Sequence, residues 1–234
     1  MEIVVAKDPP QGFDLSITVP SQYPAGLLIT DLKRIIDSYT RSHTDNNTIQ
    51  VWLENAQEDD SEQLKELNLY PYRDLLQMRC KLPISIDGIA TRSFLRGTDE
   101  AAFLEVNSRA FHWHPEQGTL NLKKLTAIFE EDWFEEEGFL IHEIGERLAG
   151  FCWTKVHSTD TETFGEIFAI AVDPEFHGNG IGKSLTASGL HHLTDKGISI
   201  GLLYVESDNL PAIRIYEQIG FTIHTTNRAF RNRH

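Results

Sequence analysis

The chain has 234 residues, 40% of them hydrophobic, which is enough for one large globular domain or two small ones. Its 35 acidic and 21 basic residues give a net charge of -14, which argues against duplex nucleic acid or an anionic membrane surface as a partner. We expect a cytoplasmic protein without disulfides, because the chain has only two cysteines. It has no apolar run near the roughly 20 residues that cross a bilayer, and residues 1–20 do not resemble a signal peptide.

The first third of the sequence predicts a fragment of an α/β domain. The apolar residues between Leu27 and Tyr39 fall on one helical face, and short apolar runs around them favour strands. An acidic run at residues 58–62 is interpreted as a solvated helix start. The predicted elements are strands at 2–6 and 15–19, a helix over 27–39, a strand at 49–53, a short helix near 64–67 and a strand at 70–82.

A linker is predicted at residues 84–91, and an alternation of strands and helices follows it. Gly197 and Gly220 are the expected stops of two helices, because glycine readily takes the left-handed conformation just past a helix end. In chain order, the predicted elements are a strand at 92–95, helices over 101–111 and 120–134, strands at 138–144, 147–156 and 167–172, a helix ending at 196, a strand at 199–206, a helix over 209–219 and a strand at 221–229.

A glycine-rich turn joins the predicted strand at 167–172 to the next helix. It contains Gly178, Gly180 and Gly182 at every second position. Glycines let the backbone approach a ligand closely, and the amides at a helix N-terminus favour an anion. The turn therefore predicts a phosphate or pyrophosphate site, to which Lys183 would add a positive charge.

Two common nucleotide-binding motifs fit this turn poorly. A Walker loop needs a glycine five positions before the glycine of Gly-Lys-Ser, and His177 stands there instead. A dinucleotide-binding fold needs Gly-x-Gly-x-x-Gly early in a βαβ unit, whereas these glycines alternate and come late in the chain. The spacing therefore argues against both motifs.

Residues 172–182 resemble a third motif, the acyl-CoA pyrophosphate loop of the GCN5-related N-acetyltransferases (GNAT family), Val-x-Pro-x-x-(Gln/Arg)-Gly-x-Gly-(Ile/Leu)-Gly, with His177 at the Gln/Arg position. The resemblance implies an α/β (α+β) fold with a central mixed β-sheet flanked by helices. It also implies acetyl-CoA as the acetyl donor, with its pantetheine bonded to the preceding strand like an added strand. The donor contacts that it implies here are Ile170, Ala171, Val172, His177, Gly178, Asn179, Gly180, Ile181, Gly182 and Lys183.

A second stretch, residues 209–221, resembles the family pattern Asn-x-x-Ala-x-x-x-Tyr-x-x-x-Gly-Phe. Asn209 at a helix start can hydrogen-bond the pantetheine arm, and Tyr216 lies two turns further along the same face. On its own, Tyr216 would be interpreted as a packing residue; together with the glycine turn, the preferred interpretation is an acid that protonates a leaving thiolate. The implied donor contacts of this helix are Asn209, Leu210, Pro211, Ala212, Ile213 and Arg214.

A closer resemblance extends from residue 93 to residue 231. It is to the mycothiol synthases, tandem acetyltransferases that acetylate the cysteinyl amine of desacetylmycothiol. The resemblance implies this small-molecule amine as the acceptor. It is thin in the first 90 residues, where only residues 50–52 and 75–79 match. The stretches that carry it are residues 97–101, 107–111, 114–118, 133–134, 138–139, 150–157, 165–166 and 203–206.

These resemblances predict two domains. Residues 1–87 contain elements like the closing half of an acetyltransferase fold but no glycine loop, so they are interpreted as a reduced, non-catalytic GNAT-like domain. An unrelated capping segment is the alternative. Residues 88–234 are predicted to be the catalytic domain, and we expect a monomer.

Direct acyl transfer needs a neutral amine, a polarised thioester carbonyl and a proton for the leaving thiolate. Because α-amino groups titrate at about 7.7–8.0, a modest base is sufficient. Glu166, just before the loop, is the candidate base, and the alternative is a carboxylate that only holds the substrate. The resemblance implies substrate contacts at Glu116, Lys155, Glu166 and Tyr204. Alternatively, Glu116 is only a carboxylate at a helix N-terminus, Lys155 is a surface lysine at a strand end and Tyr204 packs in the sheet.

No metal site is predicted, because His112 and His114 on an irregular loop, with His157 far along the chain, do not have zinc spacing, and cysteine ligands are lacking. Covalent catalysis is not supported either, since the sequence has no Gly-x-Ser-x-Gly elbow.

Two other functions remain open at this point. One is acetylation of another amine, such as a peptide N-terminus. The other is a non-catalytic acyl-CoA-binding module, against which the presence of Glu166, Asn209 and Tyr216 argues.

Overall fold

A computed structural model describes residues 3–7, 12–43, 47–112, 117–159 and 162–233 of the chain. The chain forms two compact units: unit 1 is Met1–Gln77, Val205–Asp208 and Ile223–His234, and unit 2 is Met78–Tyr204 and Asn209–Thr222. The last strand of the chain therefore belongs to unit 1. The domain interpretation given above, residues 1–87 and 88–234, stays a prediction.

Unit 1 is built on a five-stranded sheet. Its elements are β1 (Val4–Lys7), β2 (Leu15–Val19), α1 (Ala25–Thr40), β3 (Ile49–Leu53), α2 (Asp60–Lys65), the first part of β4 (Leu69–Lys81) and most of β10 (Thr222–Asn232), with strands numbered in chain order. The sheet order is β1-β2-β3-β10-β4. β2 and β3 pair in parallel, whereas β1 pairs with β2 and β10 with β3 in antiparallel fashion.

The core of unit 1 follows from the alternation of residues along β2. Leu15, Ile17 and Val19 are buried, while the polar residues between them are only partly covered, as expected for a strand with one face on a core. Leu28 and Leu32 of α1 join the same cluster. The predicted strands at 15–19 and 49–53 are confirmed to the residue.

Unit 2 contains the remaining elements. They are β5 (Arg92–Ser93), α3 (Glu100–Ala110), α4 (Leu122–Phe129), β6 (Phe139–Ile144), β7 (Arg147–Ser158), β8 (Thr163–Val172), α5 (Ile181–Asp195), β9 (Ile200–Glu206, as far as Tyr204) and α6 (Leu210–Ile219), with 3₁₀ turns at Gln117–Thr119, Glu136–Gly138 and Pro174–Phe176. The sheet order is β9-β8-β7-β6-β5. The sheet is mixed, because β8 and β9 are parallel and the other ladders are antiparallel.

Helices α3 and α5 cover opposite faces of this sheet. Phe103 of α3 packs edge-on against Trp153 of β7, with ring centroids 6.3 Å apart. Cys152, the preceding residue of β7, points the other way, and a Cβ on Gly189 of α5 would come within 2.5 Å of its sulfur. The predicted mixed sheet flanked by helices is confirmed.

One predicted helix is wrong in length. The helix predicted over 120–134 begins after Asn121, whose side chain accepts from Lys124 N at 3.1 Å, and ends at Phe129. Three acidic residues follow Phe129 in the sequence, and acidic groups are unfavourable at the negative end of the helix dipole. The two aromatic residues after them, Trp133 and Phe134, instead pack against Trp153.

The strand predicted at 167–172 is longer than predicted. β8 begins at Thr163, because Thr163 and Phe164 pair with the last residues of β7. None of the helices in the described ranges is both long enough and apolar enough to cross a membrane.

Candidate active site

Strands β8 and β9 of unit 2 separate partway along their length. Their parallel ladder has three residue pairs, and the last joins Ile167 to Leu203. β8 continues to Val172 and stays paired with β7 on its other edge. Residues 168–172, all of which the structure describes, therefore have one edge outside the β9 ladder. Such an edge can bind an extended ligand as an added strand.

A β-bulge in β8 lies at the point of separation. Trp153 of β7 is opposite Ala169, and the next residue of β7 is opposite Ile167, so Phe168 is an extra residue in β8. The Phe168 ring packs 5.3 Å from the Trp153 ring, on the face that α3 covers. Ile167 faces α5 instead, because its Cδ1 lies only 2.8 Å from where a Cβ on Gly189 of α5 would be.

The glycine turn after β8 holds two residues in the left-handed conformation. Gly178 has φ 83° and Gly180 has φ 74°, and a Cβ on either would meet no protein atom within 4 Å. Gly180 is the N-cap of α5, and no side chain caps that helix start. Since the first amides of a helix lack intrahelical partners, they face open space here and can bind an anion.

The side chain of His177 hydrogen-bonds the last residue of β8. Its Nε2 lies 2.9 Å from the carbonyl oxygen of Val172. A carbonyl only accepts, so the imidazole donates from Nε2. The side chain at the family's Gln/Arg position therefore braces the backbone of the loop.

Asp173 anchors the other side of the turn. Its carboxylate is fully buried and accepts from Arg109 Nη2 at 2.5 Å and from Glu175 N at 3.2 Å. Burial raises the pKa of Asp173, but the Arg109 hydrogen bond, the Glu175 N–H and the positive charge of Arg109 outweigh it and hold the pKa below its ordinary value. The start of the loop is therefore tied to α3 by a charged pair.

We expect Arg109→Gln to lower the free energy of unfolding by about 1–2 kcal/mol at pH 7, because Asp173 would be left buried without its charged partner. Asp173 has a depressed pKa in the folded state. Its stabilisation is therefore present above the unfolded value of about 3.9 and is lost as the pH falls through the folded value. Urea unfolding at pH 7 and below pH 4 measures both effects.

Arg147→Gln is the matched control for that prediction. Arg147 pairs with Glu175 at 2.5 Å, but both side chains are more than half exposed, so we expect a change within about 0.5 kcal/mol. Equal losses for the two variants at pH 7, or an Arg109→Gln effect that does not shrink at low pH, would contradict the buried-pair interpretation.

Glu166 is buried in β8, and its carboxylate hydrogen-bonds one other side chain in the described residues. Glu166 Oε2 lies 2.6 Å from His157 Nε2. His157 is near the end of β7 and its ring stacks on Phe164 with centroids 5.0 Å apart. The base predicted from the sequence is therefore part of a carboxylate–imidazole pair.

Lys155 lies directly opposite Glu166 in the β7–β8 ladder. Its ammonium sits over the Trp133 ring, 4.2 Å from the centroid, and 5.7 Å from the centroid of Phe168. Such cation–π contacts hold the amine near the aromatic face of the sheet. A cation, a carboxylate and an imidazole thus lie on one face, at the point where β8 leaves β9.

Helix α6 begins with the predicted Asn209, whose Oδ1 accepts from Ala212 N at 3.3 Å and caps the helix. Tyr216 is buried further along the helix, with its ring 5.9 Å from Phe221. Burial, with a smaller contribution from the neighbouring Cys152, raises the pKa of Tyr216 well above its ordinary value. The phenol is therefore protonated at neutral pH.

The remaining predicted contacts are less enclosed. Leu210, Pro211 and Arg214 are exposed on α6, and Tyr204 of β9 is 40% exposed. Lys183 is half-buried, with Nζ 3.2 Å from Gln218 Oε1. Glu116 lies outside the described residues.

Neither cysteine suits nucleophilic catalysis. Burial raises the pKa of the Cys80 and Cys152 thiols to about 12, and only the thiolate is a good nucleophile. In the ranges that the structure describes, no three His, Cys, Asp or Glu side chains are grouped so that they could hold a metal ion.

Sequence reasoning missed the pairing of His157 with Glu166, and the anchoring of the loop by Arg109 and Asp173. His157 was weighed only as a metal ligand. His157 follows Lys155 by two residues and lies one residue past the strand predicted at 147–156, so both side chains share a face if that strand continues. This position does not identify Glu166 as the partner.

Comparison with known proteins now identifies the family. Residues 103–221, which include β8, the glycine turn and α6, match the family described as Acetyltransferase (GNAT) family. The chain belongs to this family. Both stretches that resembled the family in sequence lie inside the matched region, as do Glu166, His157 and Lys155.

Individual relatives are more specific. A mycothiol acetyltransferase of Streptomyces bingchenggensis is 40% identical over 78% of this chain and 62% of its own length. One of Actinosynnema mirum is 42% identical over 74% of this chain and 60% of its own length. The chain therefore spans about three fifths of these curated relatives.

Solved structures of this family share the fold. A GNAT protein from Sphaerobacter thermophilus superposes with a TM-score of 0.74 at 19% identity, covering 98% of this chain and 75% of that chain. One from Kribbella flavida gives a TM-score of 0.59 at 12% identity, covering 99% and 87%. The GNAT fold predicted from the glycine loop is confirmed.

Proposed function

We propose that the protein is an acetyl-CoA-dependent N-acetyltransferase of the mycothiol synthase type. The observation that carries this proposal is the arrangement along β8. Glu166 lies where β8 leaves β9, a free strand edge follows, and the glycine turn comes at its end. A base, a groove for an extended chain and an anion cradle therefore follow one another in that order.

Acetyl-CoA fits this arrangement because it has an anionic pyrophosphate and an extended pantetheine chain. The amides of residues 178–183 would bind the pyrophosphate, and the free edge of Ile170, Ala171 and Val172 would hydrogen-bond the pantetheine. The empty space beside Gly178 and Gly180 supports close approach of a ligand to the backbone. Acetyl-CoA, when bound, supplies the acetyl group as a thioester, and a β8 amide would polarise its carbonyl.

Proton transfer is assigned to two residues. Glu166 takes the proton that the amine nitrogen loses as the N–C bond forms and the C–S bond breaks. Tyr216 would face the departing sulfur when the donor is bound. Because its raised pKa exceeds the ordinary thiol value of about 8.5, its O–H first stabilises the sulfur's charge as a hydrogen-bond donor. Tyr216 then passes this proton to the sulfur as the thiol leaves. The products are the amide and the free thiol, Glu166 releases its proton to solvent, and Tyr216 takes one from solvent.

The acceptor is proposed to be desacetylmycothiol. The support is the name of the relatives, mycothiol acetyltransferase, at 40% and 42% identity, and the polar face beside Glu166. Lys155 and Tyr204 would contact the sugar hydroxyls, and Glu116 is proposed as a further substrate contact. A cysteinyl α-amine is weakly basic, so a single carboxylate can deprotonate it.

The test is thiol release from acetyl-CoA with desacetylmycothiol, with a short peptide bearing a free N-terminus, and with no acceptor. We expect release with desacetylmycothiol alone, matched by a product heavier by one acetyl group in mass spectrometry. Release with the peptide only would make the protein an acetyltransferase of another amine. Saturable binding of acetyl-CoA without turnover of any amine would make it a binding module.

We also propose that residues 1–87 do not bind a donor of their own. Their sequence contains two glycines, Gly12 and Gly26, which are too far apart for a glycine loop. A cytoplasmic location is proposed as well. It is supported by Cys80 and Cys152, which are free and buried, as is common in a reducing compartment.

A further inference from the structure

His157 and Glu166 form a close pair across two strands. Glu166 Oε2 is 2.6 Å from His157 Nε2, slightly closer than the roughly 2.7–2.9 Å of a charge-assisted N–H···O hydrogen bond. An ionised carboxylate only accepts, so the imidazole donates its Nε2–H to it. The proton on Nε2 is therefore fixed by the partner, and Nδ1 is the nitrogen left to other contacts.

This contact distinguishes the two oxygens of Glu166. Oε2 is occupied by His157, whereas Oε1 has no hydrogen-bond partner among the described residues. Glu166 as a whole is 8% exposed, so little water is available to hold the carboxylate in place. Oε1 is the oxygen free to take a proton from a substrate.

The imidazole is itself held in position. Its ring lies nearly parallel to Phe164, at an angle of 20° and 5.0 Å between centroids. The Arg79 guanidinium, paired with Glu162 at 3.6 Å, lies 5.5 Å from the centre of the same Phe164 ring. Lys155, opposite Glu166 in the β7–β8 ladder, has its ammonium over the Trp133 ring. The imidazole of His157 is thus packed on the Phe164 ring on one side and hydrogen-bonded to the Glu166 carboxylate.

We propose that His157 is a positioning residue for Glu166: it occupies Oε2 and aims Oε1 at the amine that is acetylated. The proposal deepens the function proposed above and rests on it. His157 does not touch the reacting atoms. It acts by holding the Glu166 carboxylate in one rotamer, so that the carboxylate is already oriented toward the amine when the substrate binds.

The decisive experiment compares two substitutions with opposite chemistry. His157→Phe keeps the ring stacked on Phe164 but removes the donor, whereas His157→Gln loses the ring but can still donate an N–H to Oε2. We expect His157→Phe to lower kcat by about 10- to 100-fold, with the KM for acetyl-CoA unchanged. We expect His157→Gln to recover kcat to within about threefold of the wild type.

The exposed His224→Phe is the control and should leave kcat unchanged. Equal kcat values for the two His157 variants, whether both low or both normal, would overturn the positioning role. A common loss would mean that the imidazole does more than donate one N–H, and a common normal rate would mean that Glu166 needs no partner. A normal rate in His157→Phe with a loss in His157→Gln would also overturn the proposal, because it would mean that the ring only packs.

A second readout does not depend on turnover. In the ligand-free protein, a histidine N–H bonded to a carboxylate at this distance should give a slowly exchanging proton resonance at low field. We expect this signal in the wild type, its loss in His157→Phe and its displacement in Glu166→Gln. Its absence from the wild type would refute the pair itself. Its presence in a protein that acetylates no amine would refute the proposed function alone.

Discussion

Glu166→Gln is expected to lower kcat by about 100-fold or more, since general-base catalysis contributes roughly 10²–10⁴. The amide keeps the shape of the side chain and can still accept from His157, but it cannot take a proton. The KM for acetyl-CoA should stay unchanged, because the glycine turn that would bind the donor lies at the other end of β8. Steady-state thiol release at saturating acetyl-CoA measures this effect.

The pH dependence adds a second criterion to that experiment. Without a base, the residual rate should depend on the fraction of amine that is already neutral, and should rise as the pH passes about 8. The wild-type kcat divided by the variant kcat should therefore decrease as the pH rises above about 8. Glu146→Gln, in the exposed turn between β6 and β7, is the control. A pH profile parallel to that of the wild type would remove Glu166 from the base role.

Gly180→Val is expected to weaken the binding of acetyl-CoA at least about tenfold, which corresponds to 1.4 kcal/mol. Gly180 has φ 74°, and the left-handed region costs a residue with a Cβ about 1–2 kcal/mol, with β-branched residues among the worst. The new side chain would also occupy the open space beside the α5 amides. Isothermal titration calorimetry with acetyl-CoA gives the Kd directly.

Gly197→Val separates backbone strain from loss of the ligand space. Gly197 has φ 79°, also with no protein atom within 4 Å of a Cβ, but it lies beyond the C-terminal end of α5. We expect the two variants to lose similar free energy of unfolding, and only Gly180→Val to lose affinity for acetyl-CoA. Unaltered affinity in Gly180→Val would mean that the turn does not bind the donor.

The sequence was most informative where one short segment determines both structure and chemistry. The turn with Gly178 and Gly180 was predictable because positive φ and close backbone approach both require glycine. The same holds for Asn209, whose short side chain caps α6 whatever else surrounds it. From these two segments, the family, the mixed sheet and the order of its elements could be predicted.

Features that depend on register between strands were not predictable. The extra residue Phe168 leaves no mark in the sequence, because it is defined by what lies opposite on β7. For the same reason the contact of Glu166 with His157, nine residues away along the chain, could not be foreseen. Arg109 and Asp173 are 64 residues apart, and only the packing of α3 on the sheet brings them together.

The single surplus residue in β8 also limits how this strand can change. Glu166 lies opposite Lys155 and Ala169 lies opposite Trp153, a step of three positions on one strand for two on the other. Deleting one residue between Glu166 and Ala169 would make the step even and leave a regular ladder, in which both residues keep their face because Lys155 and Trp153 are already two positions apart on β7. The deletion would instead remove the bulge, and with it the local bend and twist at the point where β8 leaves β9. A chain shortened by one residue here should therefore keep Glu166 on the aromatic side but run β8 straighter past the end of the β9 ladder.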